Sequence, residues 1–434
     1  MIALPVIYKK ILGVTGLQIA SRIISILTSI ILARLLGPKE FGIYGFVLSI
    51  IAIATIPVVA GLPELVVREI AKLRVEGRIM EIIGLLSWSK MYVCMVSILS
   101  FSACMFFYGN GQLGEINQEV IWFVFLLVPI KGLLARQASV LNGFQFPLLA
   151  ALPSVFIAPL IFLLLLLFLM YFVYPVTPNS ALTLQLLSFS ISLLLGMFFI
   201  SEKVYKNTLN SSFSKPIYHF KWWHKSLLPF SLMVIITTMN GELASVFLGV
   251  QGEHETVGYF RMSLQATVLM VIGLQGVNSV ISPHIARLFK QGEMTQAQVL
   301  LSKSTFISVI VALPVFILLI FKAETVILFV FGSDYLSAVI PMKILCVGQS
   351  VNVLMGSVGL VLNMTGNEKK ALKALFISLI VNVVLLILLT PVYKDLGAAV
   401  SVSISVALWN VLMAINAYKL TGLKTWLIIR YKGQ

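Results

Sequence analysis

Arg22, Lys131 and Glu242 fall near the middle of long apolar runs, where lipid would otherwise surround them. A charged group at the centre of a membrane-spanning helix costs about 2.5–3.5 kcal/mol, so such residues face water or one another. Six further basic residues, Arg34, Lys90, Arg136, Arg261, Lys303 and Lys343, lie in or at the edges of similar runs, and Glu242 is the only acid among them. One carboxylate can satisfy one or two of these cations. The remainder predict a water-filled space of positive potential, which prefers an anion and would hold it by charge-assisted hydrogen bonds. Arg34, Lys90 and Lys303 lie close enough to the ends of their runs to snorkel to the interface. Arg22 and Lys131 do not.

Spacing supports a wet face. Thr15, Gln18, Arg22, Ser25 and Ser29 recur every three or four residues and share one side of a helix. Ser231, Thr238, Glu242, Ser245 and Gly249 form a comparable stripe, and Lys343, Ser350 and Ser357 recur every seven residues. Small polar residues also pack membrane helices against each other, so the serines alone do not define a path. Three roles are open for Glu242: a proton or sodium coupling site, an ion-pair partner for a cation such as Lys131 or Arg22, or a latch between halves.

The elements that must carry these residues follow from composition. The chain has 434 residues, 59% hydrophobic and 11% charged, with a mean hydropathy of +1.02, which excludes a soluble globular fold. Spans of about 20 apolar residues are expected at 11–36, 41–62, 83–108, 119–141, 148–174 and 182–200, then at 229–250, 260–283, 298–321, 339–362, 371–390 and 397–418. Lys9 and Lys10 precede an apolar stretch that is too long for a signal-peptide core, so it is read as the first span. Twelve spans place twenty basic residues on one side, Arg68, Lys72, Arg74, Arg78, Lys221, Lys215, Arg430 and Lys432 among them, and only Lys39, Lys322 and Lys394 on the other. That asymmetry predicts both termini in the cytoplasm. The net charge of +15 therefore reports orientation, and no nucleic-acid partner is expected. Glu64, Glu69, Glu76 and Glu81 stand among bases in the first inner loop and read as a solvated, helical, salt-bridged connection.

The chain also repeats. Phe41-Gly42-Ile43-Tyr44 matches Val257-Gly258-Tyr259-Phe260 at an offset of 216, Ile70-Ala71-Lys72-Leu73 matches Ile285-Ala286-Arg287-Leu288 at 215, and Val140-Leu141-Asn142 recurs as Val361-Leu362-Asn363 at 221. Three matches in order predict two six-helix lobes, 1–200 and 229–418, of equal orientation and related by a pseudo-two-fold axis along the membrane normal. Residues 201–228, with Trp222-Trp223 among lysines, are expected as an amphipathic linker at the membrane surface, and 419–434 as a cytoplasmic tail. Catalysis is not indicated. There is no acid–base dyad, nucleophile elbow or phosphate-cradling loop, no metal-ligand spacing among Cys94, Cys104, Cys346 and the four histidines, and no outer loop large enough for a glycan polymerase. No cofactor is expected beyond a coupling H+ or Na+.

Ser21-Arg22, Leu32-Ala33-Arg34-Leu35-Leu36-Gly37-Pro38 and Phe41-Gly42-Ile43-Tyr44 resemble the opening of the Wzx-type polysaccharide flippases of the MOP (MATE-like) transporter superfamily. So do Arg68-Glu69-Ile70-Ala71, Phe331-Gly332-Ser333-Asp334-Tyr335 and Leu396-Gly397-Ala398-Ala399-Val400. The resemblance implies an all-α, twelve-helix MATE-like fold around a central cavity, in a bacterial cytoplasmic membrane. It also implies alternating-access transport of an undecaprenyl-diphosphate-linked oligosaccharide for O-antigen, capsule or exopolysaccharide. The expected partners are that lipid-linked oligosaccharide, membrane lipids and polysaccharide polymerase or assembly proteins, and a monomer suffices. Substrate contacts are expected from Arg22, Lys131, Arg136, Gln18 and Ser25 in the first half and from Arg261 and Lys343 in the second, with Glu242 as coupling or ion-pair group. Multidrug and toxin extrusion antiporters are expected to place acids where this chain has Arg22 and Lys131. Lipid II flippases typically add two helices beyond the twelfth, for which Lys419 to Gln434 is too short.

Overall fold

The computed structural model describes residues 4–111, 118–172, 176–209 and 216–427, and among them every regular element is helical. The expectations for Lys215, Arg430 and Lys432 lie outside these residues. Among the described residues, ten helical stretches are long and apolar enough to cross a membrane. Two of them, Gly16–Val75 and Glu368–Thr421, are long enough for more than one crossing, and each contains a break. At Gly37 the backbone adopts φ 71°, ψ 173°, a conformation that a side chain disfavours, and the following Pro38 has no N–H to continue the ladder. At Lys394 the backbone turns to φ 47°, ψ −125°. Divided at these two points, the ten stretches correspond to the twelve expected spans.

The chain forms two compact units, residues 1–36 with 46–238, and residues 37–45 with 239–434. The division differs from the expected lobes in two places. Residues 216–238 belong to the first unit, and the helix that opens within them at Phe220 starts nine residues earlier than the expected span. Residues 37–45 belong to the second unit although both flanks belong to the first.

The first unit holds most of α1 (Leu4–Val59) and all of α2 (Leu62–Val75), α3 (Ile79–Gly109) and α4 (Gln118–Gly143). The short α5 (Pro147–Ala151) passes through a π-helical turn, Leu152–Ile157, into α6 (Ala158–Phe172), and α7 (Pro178–Ile200) ends in a second π-helical segment, Ser201–Leu209. Pro153 lies in the first π turn, where its missing N–H forbids the regular ladder. Phe220 opens α8 (Phe220–Val250), so Trp222 and Trp223 are helical. Trp223 is buried with its ring 5.1 Å from that of buried Trp88. Exposed Phe168, Phe172, Leu194 and Phe198 give the unit the apolar exterior that a lipid solvent requires.

The second unit holds α9 (His254–Gln291), α10 (Met294–Phe321), α11 (Ala323–Val330), α12 (Val339–Met355), α13 (Val358–Met364) and α14 (Glu368–Thr421), with a 3-10 turn at Ser333–Ala338. The tenth expected span is interrupted at Gly356 (φ 69°, ψ −146°), so Ser357 begins a new helix and leaves the stripe of Lys343 and Ser350. Ser357 instead hydrogen-bonds Asn278.

Residues 37–45 join this unit at a backbone crossing with α9. A Cβ on Gly42 would stand 1.7 Å from the His254 carbonyl oxygen, and a Cβ on Gly258 would stand 2.1 Å from that of Pro38. These pairs are reciprocal at the offset of 216 found in the sequence repeat. Only glycine permits either approach. Gly42→Ala should therefore lower the melting temperature of the detergent-solubilised protein, by an overpacking cost of about 1–3 kcal/mol. Gly16→Ala, whose Cβ meets nothing within 4 Å, should leave it unchanged or raised, and equal melting of G42A and wild type would refute the crossing.

Candidate functional site

The predicted cationic residues occupy both units. In α1, Gln18, Arg22 and Ser25 are exposed along one face, as their spacing requires, and among the described residues Arg22 has no ion-pair partner. In α4, the Lys131 ammonium lies 5.5 Å from the Phe189 ring centroid, a cation–π contact that keeps the half-buried charge partly compensated. Arg136, one turn further, is engaged differently. Its Nη2 donates to the Leu86 carbonyl at 2.7 Å and its Nε to Ser89 Oγ at 2.9 Å. These bonds tie α4 to α3, and the adjacent Gln137 Nε2 ties it to the Leu193 carbonyl of α7 at 3.1 Å. Hydrogen bonding of this kind costs a substrate more to displace than an open guanidinium would.

In the second unit, Arg261 Nη2 donates to Glu242 Oε2 at 2.7 Å, joining α9 to α8. The side chains are 20% and 29% exposed, dry enough for the pair to matter and open enough for an anion to reach it. The carboxylate thus has a basic partner from its own unit, where the sequence suggested Lys131 or Arg22. Arg261 also has a neighbour that sequence reasoning did not single out. A Cβ on Gly45 would lie 2.2 Å from Arg261 Cδ, so the arginine stem runs over bare backbone beside buried Tyr44. The signal was available: the repeat offset of 216 aligns Gly45 with Arg261 itself. Lys343 on α12 is half-buried and, among the described residues, has no ion pair.

Of the polar stripe on α8, Ser231 donates to the Ala60 and Leu227 carbonyls at 3.0 and 2.8 Å, whereas buried Ser245 Oγ has no hydrogen-bond partner among the described residues. Buried Asn240 Oδ1 accepts from Ser405 Oγ at 3.3 Å, and Asn382 Nδ2 lies 3.5 Å from it. No group of three or more His, Cys, Asp or Glu that could hold a metal is found among the described residues.

Outside the spans, the first inner loop departs from the solvated connection expected of it. It is helical and salt-bridged, but Glu69 and Glu81 are buried, the first against Arg68 at 3.0 Å and the second between Arg78 and His219. The Arg78 pKa is raised above its ordinary value, chiefly by the hydrogen bond to Glu76 and further by the charge of Glu81. At the Lys394 break, the hydrogen bond from Lys394 to Glu253, 2.8 Å long, raises the lysine pKa, while burial raises that of Asp395.

The sequence family described as "Polysaccharide biosynthesis protein" matches residues 31–340. The chain belongs to the polysaccharide biosynthesis protein family. Its relatives include the probable low-salt glycan biosynthesis flippase Agl15 of Haloferax volcanii, 26% identical over 44% of this chain and 41% of that protein. An uncharacterized membrane protein of Methanocaldococcus jannaschii is 22% identical over 87% of this chain and 77% of its own length. The chain thus spans about two fifths of the glycan flippase it matches. Among solved structures, the fold is that of an inward-facing multidrug resistance MATE family transporter of the MOP superfamily (TM-score 0.77, 14% identity, 93% and 94% of the two chains). It is shared with the lipid II flippase MurJ (TM-score 0.72, 16% identity, 93% and 87%).

A double-mutant cycle tests the Glu242–Arg261 ion pair. Glu242→Gln, Arg261→Met and the double variant should reveal a coupling of about 1–3 kcal/mol in thermal unfolding. Additive effects would show that the pair is not formed in the folded protein.

Proposed function

We propose that this polysaccharide biosynthesis protein is a flippase, a transporter and not an enzyme, that moves a lipid-linked oligosaccharide from the inner to the outer leaflet of the cytoplasmic membrane. The observation that carries the reading is Arg22, a cation in the first span, exposed on the polar face of α1 and, among the described residues, without an ion-pair partner. A diphosphate meets such a group with charge-assisted hydrogen bonds, while its prenyl chain stays in lipid and its glycan uses the small polar residues of the stripe. Lys131 in the first unit, and Lys343 and the Glu242–Arg261 pair in the second, are further cations on this reading, with Gln18 and Ser25 beside Arg22 as neutral donors and Arg136 as a more firmly held contributor. The carrier in this reading is undecaprenyl diphosphate and the product an O-antigen, capsule or exopolysaccharide repeat unit, handed on to polymerase and assembly proteins. Transport proceeds by alternating access, driven by an H+ or Na+ gradient or by consumption of the product, with both termini in the cytoplasm.

The glycan flippase named among the relatives supports the substrate class. A MOP superfamily transporter of Pyrococcus furiosus shares the fold (TM-score 0.62, 16% identity, 95% of each chain), and its structure is described as having a binding pocket of reverse polarity that suggests a different function. A multidrug antiporter of the same fold is the second reading. Excess cation in the spans weighs against it, because a cationic drug would be repelled.

Deletion of the gene should cause a diphosphate-linked oligosaccharide to accumulate on the cytoplasmic side, identified by mass spectrometry of extracted polyprenyl lipids, while surface glycan disappears. Arg22→Ala should reproduce that loss with the protein still in the membrane, and Arg22→Lys should restore part of it. An unchanged lipid pool with new drug sensitivity would replace the flippase by the antiporter.

A further inference from the structure

The α2–α3 corner and the start of α8 enclose a cavity of about 280 Å³ in the first unit that the transport reading does not use. Its walls are largely neutralised by their own ion pairs. Glu69 is held by Arg68, and Glu81 by Arg78 and His219, the last at 3.0 Å. The backbone closes the corner as well: Ile217 N–H donates to the Met80 carbonyl at 3.2 Å, and a Cβ on Gly84 would stand 1.9 Å from the Ile217 carbonyl oxygen. One lining cation has no such short contact. Lys72 lies 4.0 Å from Glu76 and rests 5.7 Å from the Trp222 ring centroid, with the Arg68 guanidinium 5.5 Å from the same ring. The Trp222 indole N–H has no acceptor among the described residues, and the residue is 44% exposed. Beside it, Ile217, Tyr218 and Phe220 expose apolar surface. This is a rigid cradle offering an ammonium and an indole donor, next to apolar side chains, on the side that the basic loops mark as cytoplasmic.

We propose that this cavity binds the phosphate-ester headgroup of a membrane lipid, with Lys72 Nζ and the Trp222 N–H on the phosphate oxygens and Ile217, Tyr218 and Phe220 against the lipid chain. Cations and aromatic residues at a cytoplasmic interface are what an anionic headgroup selects. Two lipids carry this chemistry: an anionic glycerophospholipid of the inner leaflet, and a polyprenyl diphosphate awaiting transport. The second source rests on the flippase reading; the first does not.

The test is native mass spectrometry of the full-length protein released from nanodiscs of phosphatidylcholine doped with either phosphatidylglycerol or undecaprenyl diphosphate. Wild type should retain one doped lipid in preference to phosphatidylcholine. Lys72→Gln should reduce retention about tenfold, Lys72→Arg should keep it, and Trp222→Phe should lose part of it by removing the N–H while keeping a ring. Preference for phosphatidylglycerol identifies the bilayer lipid as the occupant, and preference for undecaprenyl diphosphate alone identifies the transport substrate. If K72Q is not recovered monodisperse, W222F provides the same comparison. Equal retention by wild type, K72Q and W222F, or no preference over phosphatidylcholine, overturns the site. None of these measurements depends on transport, so a failed flippase assignment would leave their outcome readable.

Discussion

Two helical segments can reach backbone contact where one of the two residues that meet has no side chain, and the second unit contains one such crossing. Gly42 lies against the His254 carbonyl and Gly258 against that of Pro38. The contact explains why residues 37–45 leave the company of their chain neighbours, and it needs the break at Gly37-Pro38 to redirect the helix that carries them. It also sets the geometry of the ion pair. With Gly45 bare, the stem of Arg261 lies flat against the crossing segment and its guanidinium reaches Glu242. A side chain at Gly45 would displace that stem, and with it the ion pair with Glu242.

The charges inside the apolar runs divide by how they are compensated. Arg136 is consumed by the protein itself, through the Leu86 carbonyl and Ser89. Arg261 is matched by Glu242, and Lys131 by the face of Phe189. Arg22 and Lys343 have no ion pair among the described residues, and Arg22 lies on an exposed helix face. A membrane protein that keeps a guanidinium in that state accepts an insertion cost of a few kcal/mol, which hydration or a bound anion must offset.

Much of this was legible in the sequence. Hydropathy placed most of the spans within a few residues, the start of α8 and the end of α12 being further off, because lipid imposes its length requirement on each helix separately. The gaps between the expected spans at 37–40 and 391–396 contain the two points, Gly37 and Lys394, where the continuous helices turn. The stripe of Gln18, Arg22 and Ser25 is exposed as its period demands. What escaped depends on contacts between distant residues. Spacing could not show that Trp222 and Trp223 begin a helix packed on Trp88, nor that Glu69 and Glu81 are buried, because a carboxylate among bases looks the same whether solvated or folded inward. The partner of Glu242 was hidden for a similar reason: the arginine that reaches it is selected by a glycine on a third segment. The interruption at Gly356 cut a heptad stripe that the sequence continued to Ser357.

The reciprocity of the crossing has a further meaning. When residue i of one segment meets j of another, and j meets i at the same offset, the pattern is that of a two-fold homodimer interface. Here a single chain supplies both sides. Such fusion makes the contact intramolecular and independent of protein concentration, and it also frees the two sides to differ. Positions 45 and 261 are equivalent across the crossing, yet one is glycine and the other arginine. In a homodimer an arginine at that position would be duplicated, and two like charges would meet where there is room for one stem. A fused repeat can place a single cation at its own symmetry centre.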